Sequence, residues 1–254
     1  MIKLALLSDW HWGITKPQSI HKAAKKLAAE KPDLVINAGD NCGGTNGARA
    51  TRQVFKALRA QMPDVTILSV LGNHDLWSGT KYLPSYADYQ HNLVKLAAAH
   101  QEFNIQNLST LMDPVYFANK QGDTIEIFGQ MMWYEQHIRT NDYNFLPLHT
   151  PSGEGIYLEL VKQEERAAIA KLQAAKLYTR VFVSHMPVLD MGDIAPDRHG
   201  GWWGANRRLG EIMQKDHGVD IFLNGHTHGN LNGPVRYECG SDYGKPLYKI
   251  IEIP

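Results

Sequence analysis

Between residues 2 and 71 the chain repeats one pattern, a short apolar run followed by a longer amphipathic one. Residues 2–7 (IKLALL), 34–38 (LVINA) and 65–71 (VTILSVL) are apolar and of strand length. Between them, residues 17–30 set Ile20, Ala23, Ala24, Leu27 and Ala28 along one helical face, with Pro17 near the start. Residues 48–61 do the same with Val54, Phe55 and Leu58. This β-α-β-α-β order predicts a parallel sheet with helices on its faces, because parallel strands need a crossover long enough to hold a helix.

The remainder is less regular. Helices are expected over 85–101, 160–177 and about 205–216, and strands over 114–118, 124–130, 180–184, 219–224 and 246–253. Residues 134–155, with Pro147, Pro151, Gly153 and Gly155, read as a long loop of the kind that often carries function. There is no internal repeat, low-complexity tract or evident linker. A single α/β domain over 1–254, with two sets of strands, is the simplest description.

The chemistry sits where the apolar runs stop. After 2–7 comes Asp9-Trp10-His11, after 34–38 Gly39-Asp40, and after 65–71 Gly72-Asn73-His74-Asp75. After 180–184 comes His185-Met186-Pro187, and after 219–224 Gly225-His226-Thr227-His228. Ligands of open α/β sheets bind outside the carboxyl ends of the strands, so these groups can converge. Asp9 and His11 are two apart, as are His226 and His228, and such pairs project to one side of an extended strand end. Gly39, Gly72 and Gly225 are expected to supply sharp turns that aim the polar side chains. Any one of these motifs alone reads more readily as a cap or a turn than as a metal site. Five in one chain point to a metal centre.

Carboxylate, amide and imidazole donors together suit borderline metals such as Mn, Fe, Zn or Co, with manganese favoured. Seven candidate ligands, Asp9, His11, Asp40, Asn73, His185, His226 and His228, are too many for one ion and fit two divalent ions sharing a carboxylate.

Bulk properties narrow the partners. Lys+Arg and Asp+Glu balance at 26 each, so nucleic acid has little global attraction for the chain and is disfavoured as a partner. Two cysteines, Cys42 and Cys239, imply no disulfide framework and suit a reducing compartment. The apolar run at 2–7 is too short for a signal peptide, and no run approaches the length of a membrane span. A cytoplasmic protein without a membrane partner is expected; the oligomeric state is left open.

The ordered set Asp9-x-His11, Gly39-Asp40, Gly72-Asn73-His74-Asp75, His185-x-Pro187 and Gly225-His226-x-His228 resembles the calcineurin-like metallophosphoesterase family, in a small bacterial-type form. The resemblance spans residues 9 to 228. It implies a β-sandwich flanked by helices, a four-layer α-β-β-α fold around two metals. It places Asp9, His11 and His228 on the first metal, Asn73, His185 and His226 on the second, and Asp40 between them. His74 would then stabilise the transition state or protonate the leaving oxygen. Asp75 would orient His74, or would simply stabilise the turn.

Departures from related groups are informative. The segment Gly39-Asp40-Asn41-Cys42-Gly43-Gly44 lacks the Asp-Arg-Gly of Ser/Thr protein phosphatases, and Gly43 stands where purple acid phosphatases carry a metal-bound tyrosine. The leading expectation is a phosphodiesterase acting on a small or nucleotide-like ester, with a bridging hydroxide attacking phosphorus in line. A phosphomonoesterase is the nearest alternative, a nuclease is disfavoured, and a non-catalytic binding scaffold on the same fold belongs to another class. Segment 198–208 (RHGGWWGANRR) offers Trp202 or Trp203 for stacking on a base and Arg207 or Arg208 for phosphate. It reads equally as a glycine-rich lid whose tryptophans pack on the core. Trp12 and Trp77 are candidates to line the cleft; His137, His149 and His199 are expected on the surface or in packing roles.

Overall fold

A computed structural model of the chain describes residues 1–44, 46–77, 86–131, 155–188, 207–230 and 232–254. In chain order its elements are β1 (Ile2–Leu7), α1 (Pro17–Ala29), β2 (Leu34–Asn37), α2 (Gly47–Gln61), β3 (Thr66–Ser69), α3 (Asn73–Leu76), α4 (Tyr86–Glu102) and β4 (Gln106–Asn107). There follow β5 (Val115–Ala118), β6 (Thr124–Gln130), α5 (Gly155–Lys171), β7 (Thr179–Ser184), α6 (Arg207–His217), β8 (Ile221–Asn224), β9 (Arg236–Glu238) and β10 (Lys249–Ile253).

The strands form two five-stranded sheets, β10-β1-β2-β3-β4 and β5-β6-β7-β8-β9. Both are mixed rather than wholly parallel: β10 runs antiparallel to β1, and β5 antiparallel to β6. Period-two alternation builds the layers. Ile2, Leu4 and Leu6 of β1 meet Ile125, Ile127, Val181, Val183 and Leu223 of the second sheet in one buried cluster between the sheets. Ala5 and Leu7, on the opposite face of β1, pack with Ile20 and Leu27 of α1 and Phe55 and Leu58 of α2. On the outer face of the second sheet, Phe128, Phe182 and Phe222 pack with Leu96 of α4, Leu172 just beyond α5, and Met213 of α6. Helices therefore cover both outer faces, the α-β-β-α arrangement. No helix among the described residues is long and apolar enough to cross a membrane.

Helix α5 stops well short of the expected residue 177. Leu172 N–H and Gln173 N–H already bond three residues back, to Ile169 O and Ala170 O. The buried Arg180 guanidinium then takes the carbonyls of Leu172 and Ala174, so the chain leaves the helix with its terminal acceptors satisfied. The alanines there have helical propensity, but a tertiary contact overrides it. The expected long loop falls almost wholly outside the described residues.

Candidate metal centre

All five polar strand ends arrive at one place because the parallel strands β1, β2, β3, β7 and β8 present their carboxyl ends together. The loops after β1 and β2 run side by side. Asp9 N–H donates to Gly39 O (3.0 Å), His11 N–H to Asp40 O (3.1 Å) and Trp12 N–H to Asn41 O (2.7 Å). Of the three glycines, Gly39 has a left-handed backbone (φ +91°). Gly72 and Gly225 act by their lack of a side chain: a Cβ would lie 2.1 Å from Asp40 Oδ1 and 1.9 Å from Ser8 Oγ, respectively. Close approach of the loops, more than turning, is what they provide. Asp9, His11, Asp40, His226 and His228 all have positive φ, between 44° and 74°. Asp and His tolerate that region better than most side chains, and such backbone strain clusters at functional sites.

The side chains converge in three groups whose donor atoms lie within 4.8 Å of one another: Asp9, His11 and His228; His11, Asp40 and His74; and Asp40, His185 and His226. Asn73 joins the last, with its Oδ1 2.9 Å from His185 Nε2. Backbone carbonyls set the rings. His11 Nδ1 is 3.0 Å from Cys42 O, and His185 Nδ1 is 2.7 Å from Ala38 O. A carbonyl only accepts, so each Nδ1 carries the hydrogen and each Nε2 is turned inward. There His11 Nε2 meets His228 Nε2 at 3.2 Å, and His185 Nε2 meets His226 Nδ1 at 3.2 Å. Asp9 Oδ1, fully buried, makes no hydrogen bond, and its distance to His228 Nε2 is 3.4 Å. Imidazole nitrogens and carboxylate oxygens this close together require positive charge among them, from protons or from cations, and the donor set fits divalent cations.

Ionisation follows the same crowding. Burial opposes charge on Asp9, yet the His228 imidazole, 3.4 Å from its Oδ1, and the charge on His185 hold it down to about 2. Asp40 is held far below the usual carboxylate range, with His185 and His74 overriding its burial. His185 is buried too, but Asp40 pushes it up to about 10, so it retains a proton for which a cation would compete. Burial lowers His226 to about 3, helped by the His185 charge. Burial likewise lowers His74 to about 4 against the pull of Asp40, so the ring is neutral at pH 7.

His74 stands beside the cluster. Its backbone N–H donates to Asp40 Oδ1 (2.9 Å), and its ring stacks on the buried Trp77 at 3.6 Å between centroids. Asp75 is engaged by the backbone: its two oxygens accept from Cys42 N–H (3.1 Å) and Gly72 N–H (3.0 Å), as a turn-stabilising role requires. Trp12 is half-buried, edge-on to His21 at 6.5 Å between centroids. Arg208 is exposed in the first turn of α6. Trp202, Trp203, His137, His149, His199 and the side chain of Arg207 lie outside the described residues. Sequence reasoning missed Tyr243, which touches both His11 and His228. It belongs to no motif, and the local signal was only its Asp-Tyr-Gly turn.

A helix-flanked β-sandwich that gathers carboxylates and imidazoles at its strand ends defines a metal-dependent hydrolase. Residues 2–230 match the family described as calcineurin-like phosphoesterase, and the chain belongs to that family. It is accordingly a metal-dependent phosphoesterase. No curated protein is significantly similar in sequence. Among solved structures, it is similar to the phosphopantetheinyl hydrolase of Mycobacterium tuberculosis, with a TM-score of 0.66 and 16% identity over 96% of this chain and 90% of that one. It is also similar to TT1561 of Thermus thermophilus, with a TM-score of 0.54 and 12% identity over 96% and 90%. At these identities the likeness concerns the fold.

Proposed function

We propose that the protein hydrolyses a small phosphodiester, acting as one domain in the cytoplasm, with Asp9, His11 and His228 holding one divalent ion and Asn73, His185 and His226 a second. Asp40 lies between the two groups. The observation that carries this reading is the inward-facing set of acceptor atoms, with the Nε2 atoms of His11 and His185 aimed by backbone carbonyls. Two such ions, manganese by preference, would activate water and polarise the phosphoryl group for in-line displacement.

The chain's own contribution is positioning. Carbonyl-fixed imidazoles keep their lone pairs aimed, and the loops after β1 and β2 are tied together so that Asp9 and Asp40 stay in register. His74, neutral at pH 7, donates an N–H hydrogen bond toward the ester's leaving oxygen as negative charge develops there. The charge effects that act most strongly on Asp9 and Asp40 come from neighbouring His and Asp side chains, a setting compatible with a singly charged diester.

The test compares bis(4-nitrophenyl) phosphate with 4-nitrophenyl phosphate, using metal-stripped protein with and without Mn²⁺. Activity returns with manganese, favours the diester, and falls by about a hundredfold or more in Asn73→Ala. A preference for the monoester reverses the substrate assignment. Folded protein that binds two ions and cleaves neither ester is a scaffold, and the reading fails.

A further inference from the structure

Tyr243 reaches the site histidines from outside every motif. Its ring centroid lies 4.8 Å from that of His11, inclined at 31°, and 4.7 Å from that of His228, edge-on at 74°. The residue is nonetheless 45% exposed. The ring thus closes one side of the Asp9, His11 and His228 group while still showing surface to solvent.

The turn that carries it is fastened at several points. Buried Ser241 donates through Oγ to Ser8 O (2.8 Å), and the same Oγ accepts Leu247 N–H (2.8 Å). Gly240 N–H donates to Gly229 O (2.8 Å), and Lys245 N–H closes the turn on Asp242 O (2.9 Å). Gly244 N–H donates to Thr15 Oγ1 (3.2 Å), and Trp10 Nε1 to Leu247 O (2.7 Å). Ser8 and Trp10 flank Asp9, and Gly229 follows His228. The turn is therefore anchored to the same two segments whose histidines the ring covers. A tyrosine held this firmly offers a flat contact surface at little further cost in conformational entropy.

We propose that Tyr243 sets substrate specificity by packing its ring against the organic group of the phosphate ester, favouring a flat aromatic group such as a nucleobase or an aryl ring. The inference rests on the phosphodiesterase reading of the centre and adds to it the chemical class of the substrate. An organic arm leaving the centre past His11 and His228 meets this ring, and aromatic surfaces attract at centroid separations of about 4.5–7 Å.

Two measurements test it on manganese-loaded protein. Calorimetric titration of phenylphosphonate against methylphosphonate reads binding without turnover. The kcat/KM ratio of bis(4-nitrophenyl) phosphate to methyl 4-nitrophenyl phosphate reads the same preference in catalysis, since the two esters share a leaving group. The wild type prefers the aromatic member of each pair. Tyr243→Ala loses about tenfold of that preference, chiefly through KM, whereas Tyr243→Phe keeps it and both variants retain full metal content. The proposal is overturned if Tyr243→Ala keeps the wild-type preference, or if the wild type cleaves the diesters without one. It is also overturned if Tyr243→Phe loses as much as alanine, which would assign the effect to the hydroxyl. Loss of metal in Tyr243→Ala would make the ring a prop for the histidines and overturn it too. Wild-type protein that neither binds nor cleaves any probe sinks the phosphodiesterase reading and this inference together.

Discussion

His74 is held between Asp40 and Trp77. Its backbone N–H is engaged by Asp40 Oδ1, and its ring lies flat on the indole at 3.6 Å. A stacked partner removes rotameric freedom that a lone imidazole would keep, so Trp77 acts as a positioning residue. Trp77→Leu should lower kcat by about tenfold to a hundredfold with KM little changed, as loss of orientation at a reacting group does. Steady-state kinetics on metal-loaded protein decides: a raised KM with unchanged kcat would instead make Trp77 a substrate contact. At this scale the sequence was most readable where one residue had one purpose. Asp9, His11, Asp40, Asn73, His185, His226 and His228 stood out because five strand ends in one chain carry such groups, and the fold brings them together. Asp75 was ambiguous in the sequence, since its role depends on where two backbone N–H groups end up. Tyr243 was invisible because the fold, not its neighbours in the chain, brings it to His11.

Elements with apolar cores were legible, and those made of polar residues were not. The expected strand over 124–130 coincides with β6, whereas β4 (Gln106–Asn107) and β9 (Arg236–Glu238) gave no apolar signal. In β9 the two charged residues are buried against each other, with Arg236 Nη2 3.2 Å from Glu238 Oε2, a pairing no local pattern announces. Arg180 shows what one buried cation does for neighbouring elements. From β7 it pairs with Glu126 of β6 (2.7 Å) and takes carbonyls beyond α5 and at His217, the last residue of α6. Arg180→Met leaves Glu126 buried without its partner and should destabilise by about 3–5 kcal/mol. Urea denaturation of Arg180→Met and of Arg180→Met/Glu126→Gln checks this: the double variant recovers part of the loss if the orphaned carboxylate is its cause.

For the molecule as a whole, the four-layer arrangement was legible from the resemblance, while the mixed direction of the sheets was not. The edge strands β5 and β10 reverse direction through tertiary pairing that the apolar runs do not encode. The two sheets are also joined by a buried cation. Lys171 Nζ donates to Leu108 O (3.0 Å) and Ser109 O (3.3 Å) beyond β4, and to Gly129 O (2.7 Å) and Gln130 Oε1 in β6. Burial lowers its pKa from 10.5 to about 8, with Glu164 opposing. Below about pH 8 the lysine is charged in both folded and unfolded chains, and the full cost of burying that charge is present. Between about 8 and 10.5 the unfolded chain holds more of the proton, so stability rises with pH across that window. Wild type should gain on the order of 3 kcal/mol relative to Lys171→Met from pH 7.5 to 10, read as the pH trend in the difference of their unfolding free energies. A difference that stays flat would show that the amine does not titrate in this range.

The left-handed backbone at Asp9, His11, Asp40, His226 and His228 has a consequence for how inactive forms of this protein are best made. Alanine at such a position removes the functional group and also a side chain that tolerates the conformation, so lost activity and lost folding arrive together. Asparagine keeps that tolerance, and Asp40→Asn or His226→Asn separates the two effects where an alanine scan would merge them.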